Sequence, residues 1–341
     1  MGNIRKKFRI VCLFFGILAL ILVLVLSGVR IRKELLLKEQ RQERVVDNAF
    51  WEVGIIEYEG KFYRYKDEIK TYLVMGIDSM DVVKVQEDWH KGGQADALFL
   101  VIEDPKEKKI SLLALNRNTI TDIKVYASNH KFIKVAQRQL CLAHGYGDGD
   151  ELSNERQIEA VSNLMNGLPI DGFVAVNKGA IGSINEALGQ VEVEALYDIR
   201  DVERDVSIEK GEVIKLNELQ AFSYVSWRDI EDLDSANKRL ERQKQYIKCA
   251  YEQALNGDKN KLLIVYDIYM SLPNYIRTDI DVFNAVHLLM GYDIDIHNIH
   301  QIEGQSYVGD TGLVEFHIDE QSKIQTILDL YYEEVDKNQI K

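Results

Sequence analysis

"ADALFLVIEDPKEKKISLLALN", residues 95–116, decides the architecture. It reads as two strands, 95–103 and 109–116, joined by an Asp-Pro-Lys-Glu-Lys turn. Each run is apolar at nearly every position rather than every second one, which predicts a sheet covered on both faces. "TYLVMGI" (71–77) and "GFVAVN" (172–177) read as further strands, as do 190–196 and segments near 295–303 and 313–317. Helical patterns occupy 152–167, 178–189, 217–225, 236–256, 261–272, 281–291 and 319–335. The mixture predicts α/β layers, with helices flanking a mixed sheet. No linker interrupts residues 65–341, so one domain is expected there.

Charge is unevenly distributed. The chain has 341 residues, is 46% hydrophobic and carries a formal charge of −13. Residues 1–45 hold ten Lys/Arg against three Asp/Glu, a net +7, so residues 46–341 carry −20. A body that acidic is a poor general binder of nucleic acid, because neutralised phosphates supply most non-specific affinity. If the chain handles phosphates, it does so in a local pocket. From Ile10 to Val29, twenty residues pass without a charge, the length a bilayer core requires, with Arg5, Lys6, Lys7 and Arg9 before them. No small-x-small cleavage site follows, so this is read as an uncleaved transmembrane anchor. The expected layout is a cytoplasmic tail (1–9), one transmembrane helix (10–29), a helical stalk or linker (30–64) and a main extracellular domain (65–341). The chain is thus placed in the cell membrane as a single-pass protein.

The segment "DLDSANKRLERQKQYIKCA" (232–250) is a helix with an unusual inner face. At about 100° per residue, Arg239, Leu240, Gln243, Ile247, Ala250 and Ala254 share one arc, while Glu241, Gln245, Lys248 and Glu252 take the other. A guanidinium and an amide therefore point toward the interior, into a lined cavity rather than solid core. The alternative is that Arg239 simply pairs with Asp232 or Asp234.

Three strand ends carry polar groups: Asp78 after 71–77, Asp96 opening 95–103 and Arg117 after 109–116. Binding groups in layered α/β proteins gather at strand ends. Two aspartates hold a hard divalent cation such as Mg²⁺, with water or phosphate completing its shell. Arg117, Arg228, Arg239 and Gln243 add donors, and guanidiniums bind phosphate oxygens in pairs. Metal and arginines together suit a pyrophosphate.

Other motifs carry less. Cys141 and His144 lie three apart without a second ligand pair. "GYGDGDE" (145–151) has calcium-loop composition but reads better as a turn. Cys141 and Cys249 are read as two core thiols, with a disulfide as the alternative.

Taken in order, the anchor, "LVMGIDS", "ADALFLVIEDPKEKKISLLALNRNT", "PIDGFVAVNKGAIGSINEALGQVEV", "LNELQAFSYVSWRD" and "RLERQ" resemble the LytR-CpsA-Psr family over about residues 70–256. The resemblance implies a three-layer α/β/α sandwich with a mixed central sheet and a deep apolar cavity for a polyprenyl chain. It also implies a membrane-anchored glycopolymer phosphotransferase. Such an enzyme moves teichoic acid or capsular polysaccharide from a polyprenyl pyrophosphate carrier to peptidoglycan, assisted by Mg²⁺, with Mn²⁺ as the alternative. By motif, Asp78 and Asp96 match the metal-binding aspartates. Arg117, Arg228 and Arg239 match the catalytic arginines, and Arg242 and Gln243 join them on the pyrophosphate. The chain departs from the family pattern at Gln94 and Ser226, where arginines are usual, and at Asn118, where aspartate is usual. Those departures leave a second reading open, a weakened or inactive protein of the cell envelope that binds polyprenyl-phosphate lipid.

Overall fold

The computed structural model describes residues 54–337, except 67, 87–91, 257–263, 265, 269–271 and 273. The tail, the apolar run 10–29 and the segment 30–53 lie outside the described residues. No described helix is long and apolar enough to cross a membrane.

Six strands form the central sheet: β3 (Lys70–Ile77), β4 (Ala95–Asp104), β5 (Lys109–Leu115), β8 (Gly172–Asn177), β13 (Ile276–Thr278) and β14 (Asp293–Gln301). Their spatial order is β13-β8-β3-β4-β5-β14. The β3–β4 and β4–β5 pairs are antiparallel, whereas β3–β8 and β5–β14 are parallel, so the sheet is mixed as expected.

The two faces of this sheet are filled unequally. Leu73, Met75 and Ile77 on one face of β3 are sealed, in a core shared with Leu98, Leu100, Leu113 and Phe173. Val161 and Leu164 of the Glu151–Leu164 helix and Ile327 and Tyr331 of the Glu320–Tyr331 helix close that core. The alternate residues Tyr72, Val74 and Gly76 are only half-buried, as are Val174 and Val176 of β8. On this second face the Ser235–Asn256 helix reaches the sheet through Leu240 and Ile247, against Phe99 and Ala114. The apolar runs are continuous because both faces are covered. Helices lie on both faces, but one layer leaves space beneath it.

Three segments differ from the sequence reading. Residues 55–64, placed in the stalk by sequence, lie in a hairpin of β1 (Ile55–Tyr58) and β2 (Lys61–Tyr65). β2 pairs in turn with β17 (Tyr332–Val335), so the hairpin belongs to the folded body. The helix read over 319–335 stops at Tyr331 and hands over to that strand, whose Tyr332 and Val335 are buried. A second hairpin, β6 (Ile120–Tyr126) with β7 (Phe132–Gln139), was not legible, because nearly all of β7 is exposed and shows no inward alternation.

Candidate active site

Strand direction gathers the polar ends. β3 runs antiparallel to β4, and β4 to β5, so the end of β3, the start of β4 and the end of β5 lie at one edge. Asp78, Asp96 and Arg117 therefore meet there, and all three line one cavity of about 790 Å³. Arg228, Arg239 and Gln243 line it as well. Of the seven residues assigned to the site by sequence, only Arg242 is absent from the cavity wall.

Asp96 is the hub. Its Oδ2 accepts from Arg239 Nη1 at 2.9 Å, and its backbone carbonyl accepts from Arg239 Nη2 at 3.3 Å. Arg117 Nε lies 3.2 Å from Asp96 Oδ1, within ion-pair range but misaligned for a hydrogen bond. The alternative pairing for Arg239 is excluded by geometry: Asp232 is bound to Lys238, and Asp234 to Asn237. Burial pushes the Asp96 carboxyl up, but Arg239 and Arg117 outweigh it and hold it below its ordinary value. Arg239 falls, because burial and the neighbouring Arg117 and Arg228 together outweigh its single counter-ion. Arg117 rises despite burial, held by Cys141 and Asp96. Its Nη2 donates to Cys141 Sγ at 2.8 Å and to Gln94 Oε1.

Arg228 is the cation without a direct partner, although Asp96 and Asp78 attract it from farther off. It is half-buried in the cavity wall and has no ion-pair or hydrogen-bond partner among the described residues. Burial first, and Arg117 next to it, lower its pKa. A half-buried guanidinium without a direct partner, beside two others, is chemically suited to an anion.

Arg242 corrects an expectation. Rather than facing the pyrophosphate position, it donates to the carbonyls of Ser223 and Trp227. Those carbonyls end the Glu218–Ser226 helix, so Arg242 caps it and fixes the turn that presents Arg228. Burial pushes its pKa down to about 10. Gln243 gives its Nε2 to the Val225 carbonyl at 3.0 Å and still faces the cavity. Among the family departures, Gln94 and Ser226 line the cavity, whereas Asn118 is buried away from it and binds Gln139.

Sequence reasoning missed Lys178, Arg200 and Arg204, all on the cavity wall. Lys178 was discoverable: it follows β8 as Asp78 follows β3, and these strands are parallel with Ile77 opposite Asn177. The lysine Nζ contacts Asp78 Oδ1 directly. Arg204 is stacked on Phe222 at 4.3 Å and paired with Asp201 at 3.3 Å, so its charge is answered locally.

A second cavity of about 430 Å³ lies under the same helix, between Val74, Val101, Leu112 and Val174 of the sheet and Leu288 of the Val282–Gly291 helix. Its walls are almost wholly apolar, and Ile247 borders both cavities. His144 is a core histidine whose Nδ1 meets the Gly93 carbonyl at 2.9 Å. The Asp148 Oδ1 of the calcium-like segment receives the backbone N–H groups of Asp150 and Ser153, as a turn does. Cys141 and Cys249 are free thiols.

Comparison with known proteins agrees with this fold. A teichoic acid transferase from Halalkalibacterium halodurans, polyisoprenyl-teichoic acid–peptidoglycan teichoic acid transferase TagU, is 26% identical over 233 residues, covering 68% of each chain. The crystal structure of Bacillus subtilis TagV shares the fold with a TM-score of 0.57, at 20% identity over 78% of this chain and 96% of that one. A structure of TagT bound to LI-WTA superposes with a TM-score of 0.53, at 18% identity over 77% of this chain and 90% of that one. Residues 29–330 match the LytR_cpsA_psr family, and with the match spanning most of the chain, the protein belongs to that family.

Proposed function

We propose that this chain is a phosphotransferase that moves a glycopolymer from a polyprenyl pyrophosphate carrier to peptidoglycan. The observation that carries this reading is Arg228, a half-buried cation with no direct partner among the described residues, in a cavity it shares with Arg117 and Arg239. Three guanidiniums around one carboxylate leave an excess of positive charge that a pyrophosphate would neutralise. The apolar cavity beyond Ile247 would take the carrier's hydrocarbon chain. The names of the curated relatives support the polymer and the acceptor.

In the reaction a peptidoglycan hydroxyl attacks the sugar-bearing phosphorus. A new oxygen–phosphorus bond forms, the bond to the bridging oxygen breaks, polyprenyl phosphate leaves, and the hydroxyl proton passes to water. Arg117, Arg228 and Arg239 would stabilise the charge that gathers on the bridging oxygen. Arg242 acts on the position of Arg228, through the helix end that it caps.

Asp78 and Asp96 offer hard oxygens to Mg²⁺, with Mn²⁺ as the alternative. The donor set fits: Asp96 Oδ1 accepts no hydrogen bond, and Asp78 is exposed to the cavity. When bound, the cation would neutralise phosphate charge. The apolar run 10–29 supports a single-pass anchor in the cell membrane, with the N-terminus cytoplasmic and the body outside.

The second reading, a weakened or non-catalytic protein that binds the lipid, is favoured by Gln94 and Ser226 on the cavity wall. Full-length protein in nanodiscs, given labelled lipid-linked polymer, Mg²⁺ and peptidoglycan, separates the two. Polymer joined to peptidoglycan is expected; tight donor binding without product would establish the second reading instead.

The apolar cavity makes a further prediction. Val174→Trp places an indole where two valines, Val74 and Val174, face each other across β3 and β8. Donors with long prenyl chains should then lose about tenfold or more in kcat/KM. Short-chain donors, which need less of that volume, should be turned over at close to the normal rate.

A further inference from the structure

We propose that Lys178 holds Asp78 in the place a divalent cation would take, so that the ammonium group and the metal compete for one carboxylate. Only the identity of the phosphate ligand rests on the transferase reading; the competition itself does not.

The contact is built into the backbone. Ile77 of β3 and Asn177 of β8 are register partners, which sets the next residues, Asp78 and Lys178, side by side. The Gly179 N–H donates to the Ser79 carbonyl at 3.2 Å. A Cβ at position 179 would lie 2.3 Å from the Met80 carbonyl oxygen, so only glycine lets the two loops approach this closely. Lys178 Nζ thus meets Asp78 Oδ1 on one side and lies 6.0 Å from the Phe222 ring on the other. Carboxylate and ring face bind the same cation.

Charge accounting gives the contact its meaning. Asp96 is held by Arg117 and Arg239, and Asp78 by Lys178, so both carboxylates offered to a metal already have a fixed cation. The cavity wall as a whole carries six cations against five carboxylates, because Arg200 and Arg204 face Asp201, Glu203 and Asp229, so its net charge is +1. A divalent ion would reach Asp78 by displacing the ammonium, or would sit beside it against like-charge repulsion. Lys178 thus adds positive charge to a wall on which Gln94 and Ser226 carry none.

The test is Mn²⁺ binding to the full chain in detergent micelles, followed by electron paramagnetic resonance. Lys178→Met should bind Mn²⁺ at least about tenfold more tightly than the wild type, because a neighbouring positive charge has been removed. Lys178→Arg should stay weak, and Asp78→Asn combined with Lys178→Met should lose the gain. Equal affinity in wild type and Lys178→Met, or no binding in either, overturns the proposal. Melting curves check the fold, and Lys178→Gln replaces the methionine variant should that one unfold. No donor lipid enters the measurement. A protein that fails to transfer polymer yet shows the Mn²⁺ response would sink the transferase reading alone. Transfer together with equal Mn²⁺ affinities would sink the lysine competition alone.

Discussion

Arg239→Ala should lower polymer transfer by about 100- to 1,000-fold, the usual cost of removing one preorganised donor that stabilises developing charge. Arg239 is almost fully buried, at 3% exposure, on the inner face of a 22-residue helix, so no water replaces its guanidinium at the same position. It also fixes Asp96 through two contacts, to the carboxylate and to the backbone carbonyl, and these set where Arg117 sits. Arg239→Lys should recover little, because a lysine cannot span carboxylate and carbonyl with paired donors. The measurement is kcat with saturating donor. A KM effect alone, with kcat unchanged, would mean that Arg239 contributes binding only.

Asp96→Asn should be the most destabilising change at the site, costing about 3–5 kcal/mol in denaturant unfolding. It leaves the Arg117 and Arg239 side chains, 10% and 4% exposed, without their shared counter-ion. Added inorganic pyrophosphate should restore part of the loss, since it provides the missing negative charge. The same carboxylate predicts an acid limit. Its pKa is lowered on folding from an ordinary 3.8, so the folded protein holds the charged form more tightly than the unfolded chain does. The resulting stability is complete above the unfolded value and is lost as pH falls through the folded one. Unfolding free energy should therefore begin to drop below about pH 4–5 in the wild type, and the Asp96→Asn variant should lack that part of the slope.

Much of the site was legible because its residues obey local rules. Asp78, Asp96 and Arg117 were found by asking what ends each buried strand, and Arg239 and Gln243 by helical period. The partner of Arg239 was not legible, since Asp96 lies 143 residues away and the nearby Asp232 and Asp234 looked equally suitable. Arg242 was misplaced because the motif joins it to Gln243, while the helix turns it toward a neighbouring helix end instead. Lys178 escaped because its segment was read only for helical pattern. The sheet was read correctly from its apolar runs, but one tail helix hid a strand and one exposed hairpin had no alternation to betray it.

The unequal filling of the sheet separates two tasks that most small domains assign to the same side chains. Cohesion comes from the sealed side, where Leu73, Leu98 and Leu113 meet two helices. The other side packs in smaller clusters around Leu240, Leu112 and Ile296, and there Val74, Val101 and Val174 border an apolar cavity. Widening or narrowing it by a methyl group at a time would retune which hydrocarbon chains fit while folding goes on as before. For the proposed lipid carrier, such a scaffold would let one hydrocarbon chain be traded for another without rebuilding the protein.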